Sequence, residues 1–270
     1  SMVSTYNFGV SGGGENTSFR IGGSYYNNEP LVKSGSFDRI AVNAAVDHKA
    51  SDKLKFGFNS SFSNVKRHTY MGGRASANPV TNAIMLSPLR SVYNLDGTYN
   101  QGAWGGGQHY TPGQATDMSE YFNPASILAN TYQKSRINTW LASVNMDYQF
   151  AKNLYLNSLF GTQAQDMREL EVIGKGHPIY LGQLDAQNFG MLRDARTNIF
   201  DYNMSNAISY RNIIGEKHNL EAVAGMEFQD HKYNVLSALS FYMTDPRPYM
   251  QFAQEAKILS SRNDLRKTQR

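Results

Sequence analysis

The sequence predicts an all-β fold, a segment of an antiparallel transmembrane β-barrel with long extracellular loops. Apolar residues recur with period two, which marks strands with one apolar and one polar face. Several of these runs extend about 12 to 15 residues, against about 5 to 6 for strands of soluble proteins and about 9 to 11 for a tilted bilayer crossing. Charges fall at the ends of the apolar faces and leave their middles clear, as with Asp38, His48, His218 and Asp230. A charge at mid-bilayer on a lipid-facing strand costs roughly 2 to 4 kcal/mol, falling toward zero at the interface.

The first strand covers Thr5 to Ser11, with Tyr6, Phe8 and Val10 alternating with Asn7, Gly9 and Ser11. Gly12, Gly13 and Gly14 supply a turn into Ser18 to Tyr26, where Phe19, Ile21 and Tyr25 share a face. The third strand, Ser36 to His48, carries Ile40, Val42, Ala44 and Val46. After the Lys49 to Asp52 turn, Leu54, Phe56, Phe58 and Phe62 form the fourth. The pattern returns with Trp140, Ala142, Val144, Met146 and Tyr148, then a turn near Ala151 and Leu154, Leu156 and Phe160. A last pair opposes Phe200, Tyr202, Met204, Ile208 and Tyr210 to Leu220, Ala222, Ala224, Met226 and Phe228, across the Asn212 to Glu216 turn. That makes about eight strands by the alternation rule.

Connections between the pairs are long: Asn27 to Gly35, residues 66–135 and residues 165–196. Outer-membrane barrels place short turns at the periplasmic end and long loops outside, so odd-numbered strands are expected to run toward the periplasm. Tyr6, Tyr25, Tyr148, Phe150 and Tyr210 near strand ends fit aromatic girdles, where a ring is half in lipid and half wet.

Composition removes several classes. No stretch approaches the roughly 18 apolar residues of a spanning helix, and mean hydropathy is −0.51. There is no Cys, so thiolate metal sites, disulfides and thiol nucleophiles are excluded. The 26 basic residues are scattered apart from the tail at 262–270, where nucleic-acid binding needs a clustered stripe. That charged tail reads as solvated or disordered.

The residue motifs resemble the SusC/RagA group of TonB-linked outer-membrane proteins, over nearly the whole chain. The carriers are Tyr6-Asn7-Phe8-Gly9-Val10-Ser11-Gly12-Gly13, Gly22-Gly23-Ser24-Tyr25-Tyr26, Phe37-Asp38-Arg39 and Leu54-Lys55-Phe56-Gly57. They continue with Ser87-Pro88-Leu89, Tyr93-Asn94-Leu95-Asp96-Gly97-Thr98-Tyr99, Asn123-Pro124, His218-Asn219-Leu220 and Ala224-Gly225-Met226-Glu227. The resemblance implies a plugged barrel of about 22 strands, of which residues 1–270 are a partial barrel domain. It further implies a SusD-like lipoprotein partner, glycan or peptide as substrate, energy from TonB, and location in the outer membrane of a Gram-negative bacterium. Plug, TonB-contacting region and signal peptide are expected upstream of residue 1, and further strands beyond residue 270.

Candidate site residues lie in the 66–135 connection, long enough to expect function or disorder. Trp104, His109, Tyr110, Tyr121 and Phe122 sit there among glycines, as aromatic groups for stacking on a sugar or docking a lid partner. The alternative is that they pack the loop on itself. Gly105-Gly106-Gly107 lacks the Gly-Lys-Ser/Thr of a phosphate loop, and the six His residues show no paired ligand spacing. No cofactor or metal is therefore expected. Asp47, Asp147, Asp201, Glu221 and Glu227 on the polar faces read as a wet or plug-facing wall rather than hydrolytic carboxylates. With no Cys to act as a thiol nucleophile, an enzyme is not expected. Two other classes stay open at this point, a soluble β-rich glycan-binding or adhesin domain and a passive porin.

Overall fold

A computed structural model of the chain describes residues 2–32, 35–70, 78–100, 122–174, 190–214, 218–243 and 255–269. It contains one antiparallel sheet of nine strands in sequence order, β1 to β9. These are β1 (Met2–Gly13), β2 (Thr17–Glu29), β3 (Ser36–Lys49), β4 (Leu54–Thr69), β5 (Thr131–Ala151), β6 (Leu154–Ile173), β7 (Gly190–Ile214), β8 (His218–Met243) and β9 (Glu255–Gln269). Two short helices, α1 (Pro79–Met85) and α2 (Pro124–Asn130), lie between β4 and β5.

The eight expected strands are present in the expected register of faces, and three boundaries differ. The 66–135 loop narrows to residues 70–130 and the 165–196 loop to 174–189, because β5 to β8 run for 20 to 26 residues. At their far ends both faces are polar, as in Gln133, Lys134, Ser135 and Arg136, so the period-two signal stops before the strand does. The charged tail at 262–270 is the other correction. Residues through Gln269 pair with β8 from Phe228 to Phe241 as β9. The ladder gives this backbone the partners that its composition did not announce.

The connections alternate as expected. Residues 14–16, 50–53, 152–153 and 215–217 separate strands at one end, while 30–35, 70–130, 174–189 and 244–254 do so at the other. The tight turns are locally locked: Lys49 pairs with Asp52 at 2.6 Å, which holds that carboxyl below its usual range, chiefly through this hydrogen bond. In the two-residue 152–153 turn, Asn153 adopts φ 66°, a left-handed conformation that Asn tolerates better than most residues.

Among the described residues β1 does not pair with β9, so both edges of the sheet are open. An open edge beside a large exposed apolar face invites association. The 270-residue chain on its own is expected to require detergent or to self-associate; a detergent-free, monodisperse monomer in light scattering would contradict this.

Candidate functional site

The ladder registers sort every side chain to one of two faces. On the first, cross-strand partners run Phe19, Val46, Phe58, Val144, Phe160, Met204, Phe228. Four positions along each strand, another row of the same face runs Phe8, Gly23, Val42, Phe62, Trp140, Ala164, Phe200. These apolar groups are not in a core: Phe58, Val144, Phe160 and Met204 are 42 to 45% exposed. A contiguous apolar surface of this extent is a contact face for another apolar phase.

Several polar side chains on that face are held by partners, which lowers the cost of placing them against an apolar phase, while Asp230 Oδ1 is buried there without one. Trp140 Nε1 donates to Ser60 Oγ at 2.9 Å, Ser158 Oγ to Asn206 Oδ1 at 2.7 Å, and Thr162 Oγ1 to the Asp201 carbonyl at 3.0 Å. The sequence shows these residues as interruptions of the apolar face, and only the register reveals that each has a neighbour able to accept.

The opposite face is the polar wall. Arg20, Asn43, Asn59, Ser61, Ser143, Gln163, Asp201, Asn203 and Gln229 line a shallow hollow of about 610 Å³. The carboxylates assigned to this wall lie on it: Asp147 accepts from Asn157 Nδ2 at 2.5 Å, Asp201 pairs with His231 Nδ1, and Glu221 pairs with Arg211 at 2.8 Å. Basic and amide partners, rather than a second carboxylate, therefore face these three. Two glycines on this face leave room for polar side chains of the adjoining strands. The Asn203 amide lies over Gly161, and a Cβ at Gly57 would stand 2.5 Å from Asn145 Oδ1 and 2.6 Å from Asp47 Oδ1.

Beyond the sheet, the 70–130 connection is built on two asparagines that each start or brace a helix. Asn123 caps α2 by accepting from the Ala125 N–H at 3.0 Å, and its Nδ2 donates to the carbonyls of Val92 at 2.7 Å and Asn100 at 3.1 Å. Asn82, fully buried, accepts the Phe122 N–H at 2.6 Å. Pro at the first turn of both helices has its missing N–H where none is needed. The buried apolar residues Phe122, Ile127, Val172, Ile173, Met191, Leu192 and Ala195 all belong to this end of the molecule.

Phe122 is thus 5% exposed and faces the interior of the loop, the self-packing alternative for this residue. Trp104, His109, Tyr110 and Tyr121 lie outside the described residues. The buried Asn82 was missed as a feature of the sequence, since nothing local links it to a residue in the 122–123 region.

A small hairpin projects from the same connection, closed by the Tyr93 and Tyr99 bridge with Gly97 at φ 81°. Asp96 accepts from the Thr98 hydroxyl at 2.6 Å and N–H at 3.0 Å, and these bonds, the hydroxyl first, lower its pKa below 3.8. A depressed carboxylate pKa adds stability above the unfolded value, lost as pH falls through the folded one. Amide exchange at Thr98 is therefore expected to accelerate as pH drops below 3.8, relative to the Asp96→Asn variant; equal pH dependence in both would contradict it.

No protein-family model matches the chain. Two TonB-dependent receptors of Formosa agariphila are similar, 28% identical over 87% of this chain and 22% over 84%. The TonB-dependent receptor SusC of Bacteroides thetaiotaomicron is 28% identical over 55% of it. The chain spans about a fifth of the length of the first two, 22% and 21%. Among solved structures, the RagAB peptide transporter superposes with a TM-score of 0.73 over 99% of this chain and 28% of the matched one, at 18% identity, a likeness of fold. Motifs, sequence likeness and the barrel-wall fold agree in their direction: over most of its length the chain is similar to part of SusC/RagA-like TonB-dependent receptors.

Proposed function

We propose that this segment forms part of the wall of an outer-membrane importer, its apolar face against lipid and its polar face lining the lumen. The carrying observation is the two-faced register, with an exposed apolar surface on one side and amide, hydroxyl and charged side chains on the other. A wet lumen and a lipid exterior are the two environments that such a sheet separates. In this reading the 70–130, 174–189 and 244–254 connections are extracellular, and the 50–53, 152–153 and 215–217 turns periplasmic.

The importer works on glycans or peptides with a SusD-like lipoprotein and TonB. Support comes from the residue motifs, the likeness to SusC, and the fold shared with the RagAB peptide transporter. Trp104, His109, Tyr110 and Tyr121 are contacts for substrate or lid in this reading, while Phe122 is buried. Affinity purification of the full-length protein from native outer membranes is expected to recover a SusD-like lipoprotein in near-stoichiometric amount. Loss of the gene is expected to abolish growth on one glycan or peptide class. Recovery of no such lipoprotein, with growth unchanged on all such substrates, would overturn the assignment.

A further inference from the structure

At the long-connection end of the apolar face, β4 to β7 repeat one arrangement. Passing outward along each strand, the apolar run ends in an amide or carboxylate, and the next position on the same face is a cation. The pairs are Asn64 and Lys66, Asn138 and Arg136, Asp166 and Arg168, and Asn198 and Arg196, with Asn234 and Leu236 of β8 opposite the last. The four cations share one cross-strand row: Lys66 lies opposite Arg136, Arg136 opposite Arg168, and Arg168 opposite Arg196.

Like charges directly opposed across a ladder destabilise a sheet, and neighbouring strands are only about 4.8 Å apart. Acidic neighbours neutralise part of the row. Asp194 clamps Arg168 at 2.6 and 3.1 Å. Asp38 lies opposite Lys66 but accepts from Tyr25 and Asn27 on its other side, and Asp166 accepts from Asn198 at 2.8 Å. Lys66, Arg136 and Arg196 are exposed and have no hydrogen bond or ion pair among the described residues.

We propose that this belt binds the phosphorylated headgroups of glycolipid in the leaflet at the long-connection end. The inference rests on the barrel-wall reading, which puts the apolar run in hydrocarbon and so brings the next charged position to headgroup depth. Phosphate supplies the anion that the row lacks, and guanidinium binds phosphate oxygens in bidentate fashion. Each cation near an anionic membrane surface is worth about a fivefold change in partitioning. A salt-sensitive preference for phosphorylated lipid follows.

The test is native mass spectrometry of the full-length protein, exchanged into nanodiscs containing either diphosphorylated lipid A or the same lipid with its phosphates removed. The intact protein is expected to retain the phosphorylated form preferentially, and the Lys66→Gln, Arg136→Gln, Arg196→Gln triple variant to lose that preference roughly tenfold or more. Arg136→Lys with Arg196→Lys is expected to keep most of it. Arg67→Gln, a cation on the opposite face, is expected to leave it unchanged. The intact-protein comparison needs no variant to fold. Equal retention of both lipids by inserted intact protein would overturn the belt alone, as would full preference in the triple variant. Displacement by inorganic phosphate as readily as by lipid would reduce the belt to a general anion site and overturn the lipid assignment. Failure to insert in either nanodisc would overturn the barrel-wall reading and the belt together.

Discussion

The Val144→Arg substitution is expected to cost roughly 2 to 4 kcal/mol and to deplete the full-length protein from the outer membrane. Val144 sits between Phe58 and Phe160 in the ladder, at the middle of the apolar face, and is 45% exposed there. No carboxylate lies in its row, which runs through Val46, Phe58, Phe160, Met204 and Phe228. The neighbouring Ser143→Arg change is the control. Ser143 lines the polar hollow with Asn59 and Gln163, and an arginine there stays hydrated. Urea stability of heat-modifiable folded protein, separated by cold gel electrophoresis, reads both variants. Equal losses in the two would show that bulk, not the medium facing each side chain, decides.

Asn123→Ala is expected to loosen the 70–130 connection by about 3 kcal/mol while leaving the sheet folded. The substitution removes an N-cap, worth roughly 0.5 to 2 kcal/mol. It also leaves the Val92 and Asn100 carbonyls without their side-chain donor, at roughly 1 to 3 kcal/mol for each that water does not reach. Limited proteolysis in the 78–100 and 122–130 stretches is expected to rise by about a hundredfold, as the open population tracks the lost stability. Leu95→Ala, at a fully exposed position, changes nothing by the same assay. Unaltered cleavage in Asn123→Ala would mean that this asparagine does not hold the loop.

The barrel-wall pattern was legible because one physical rule, apolar toward lipid and polar toward water, writes itself into every second residue. Phe56, Phe58 and Phe62 declare their face without any knowledge of their neighbours. Where a strand leaves the bilayer the rule lapses. Lys134, Arg136 and Asp166 look like the beginnings of loops, although the backbone ladder of β5 and β6 continues through them. The residues of β9 were unreadable for the same reason, as Arg262 and Lys267 belong to a ladder that their side chains do not advertise.

Long-range partners were the other hidden part. Phe122 looks like an exposed loop aromatic until its N–H is found on Asn82, forty positions away in sequence. The basic belt was visible only as separate charges at strand ends. Register brings Lys66 beside Arg136, residues that no local motif connects. Such features depend on which strand lies next to which and in what alignment, and that information is spread over the whole sheet.

The most direct test of the two-faced wall is a site-directed cysteine scan along residues 140–148 of the full-length protein in lipid vesicles, helped by the absence of any Cys in this segment. Spin labels introduced by Trp140→Cys, Ala142→Cys, Val144→Cys and Met146→Cys are expected to relax with oxygen dissolved in the bilayer. Labels at Leu141→Cys, Ser143→Cys and Asn145→Cys are expected to respond to an aqueous nickel chelate, giving a period of two in the accessibility ratio. Uniform aqueous access at all seven positions, or an oxygen maximum on the odd-numbered set, would contradict the account.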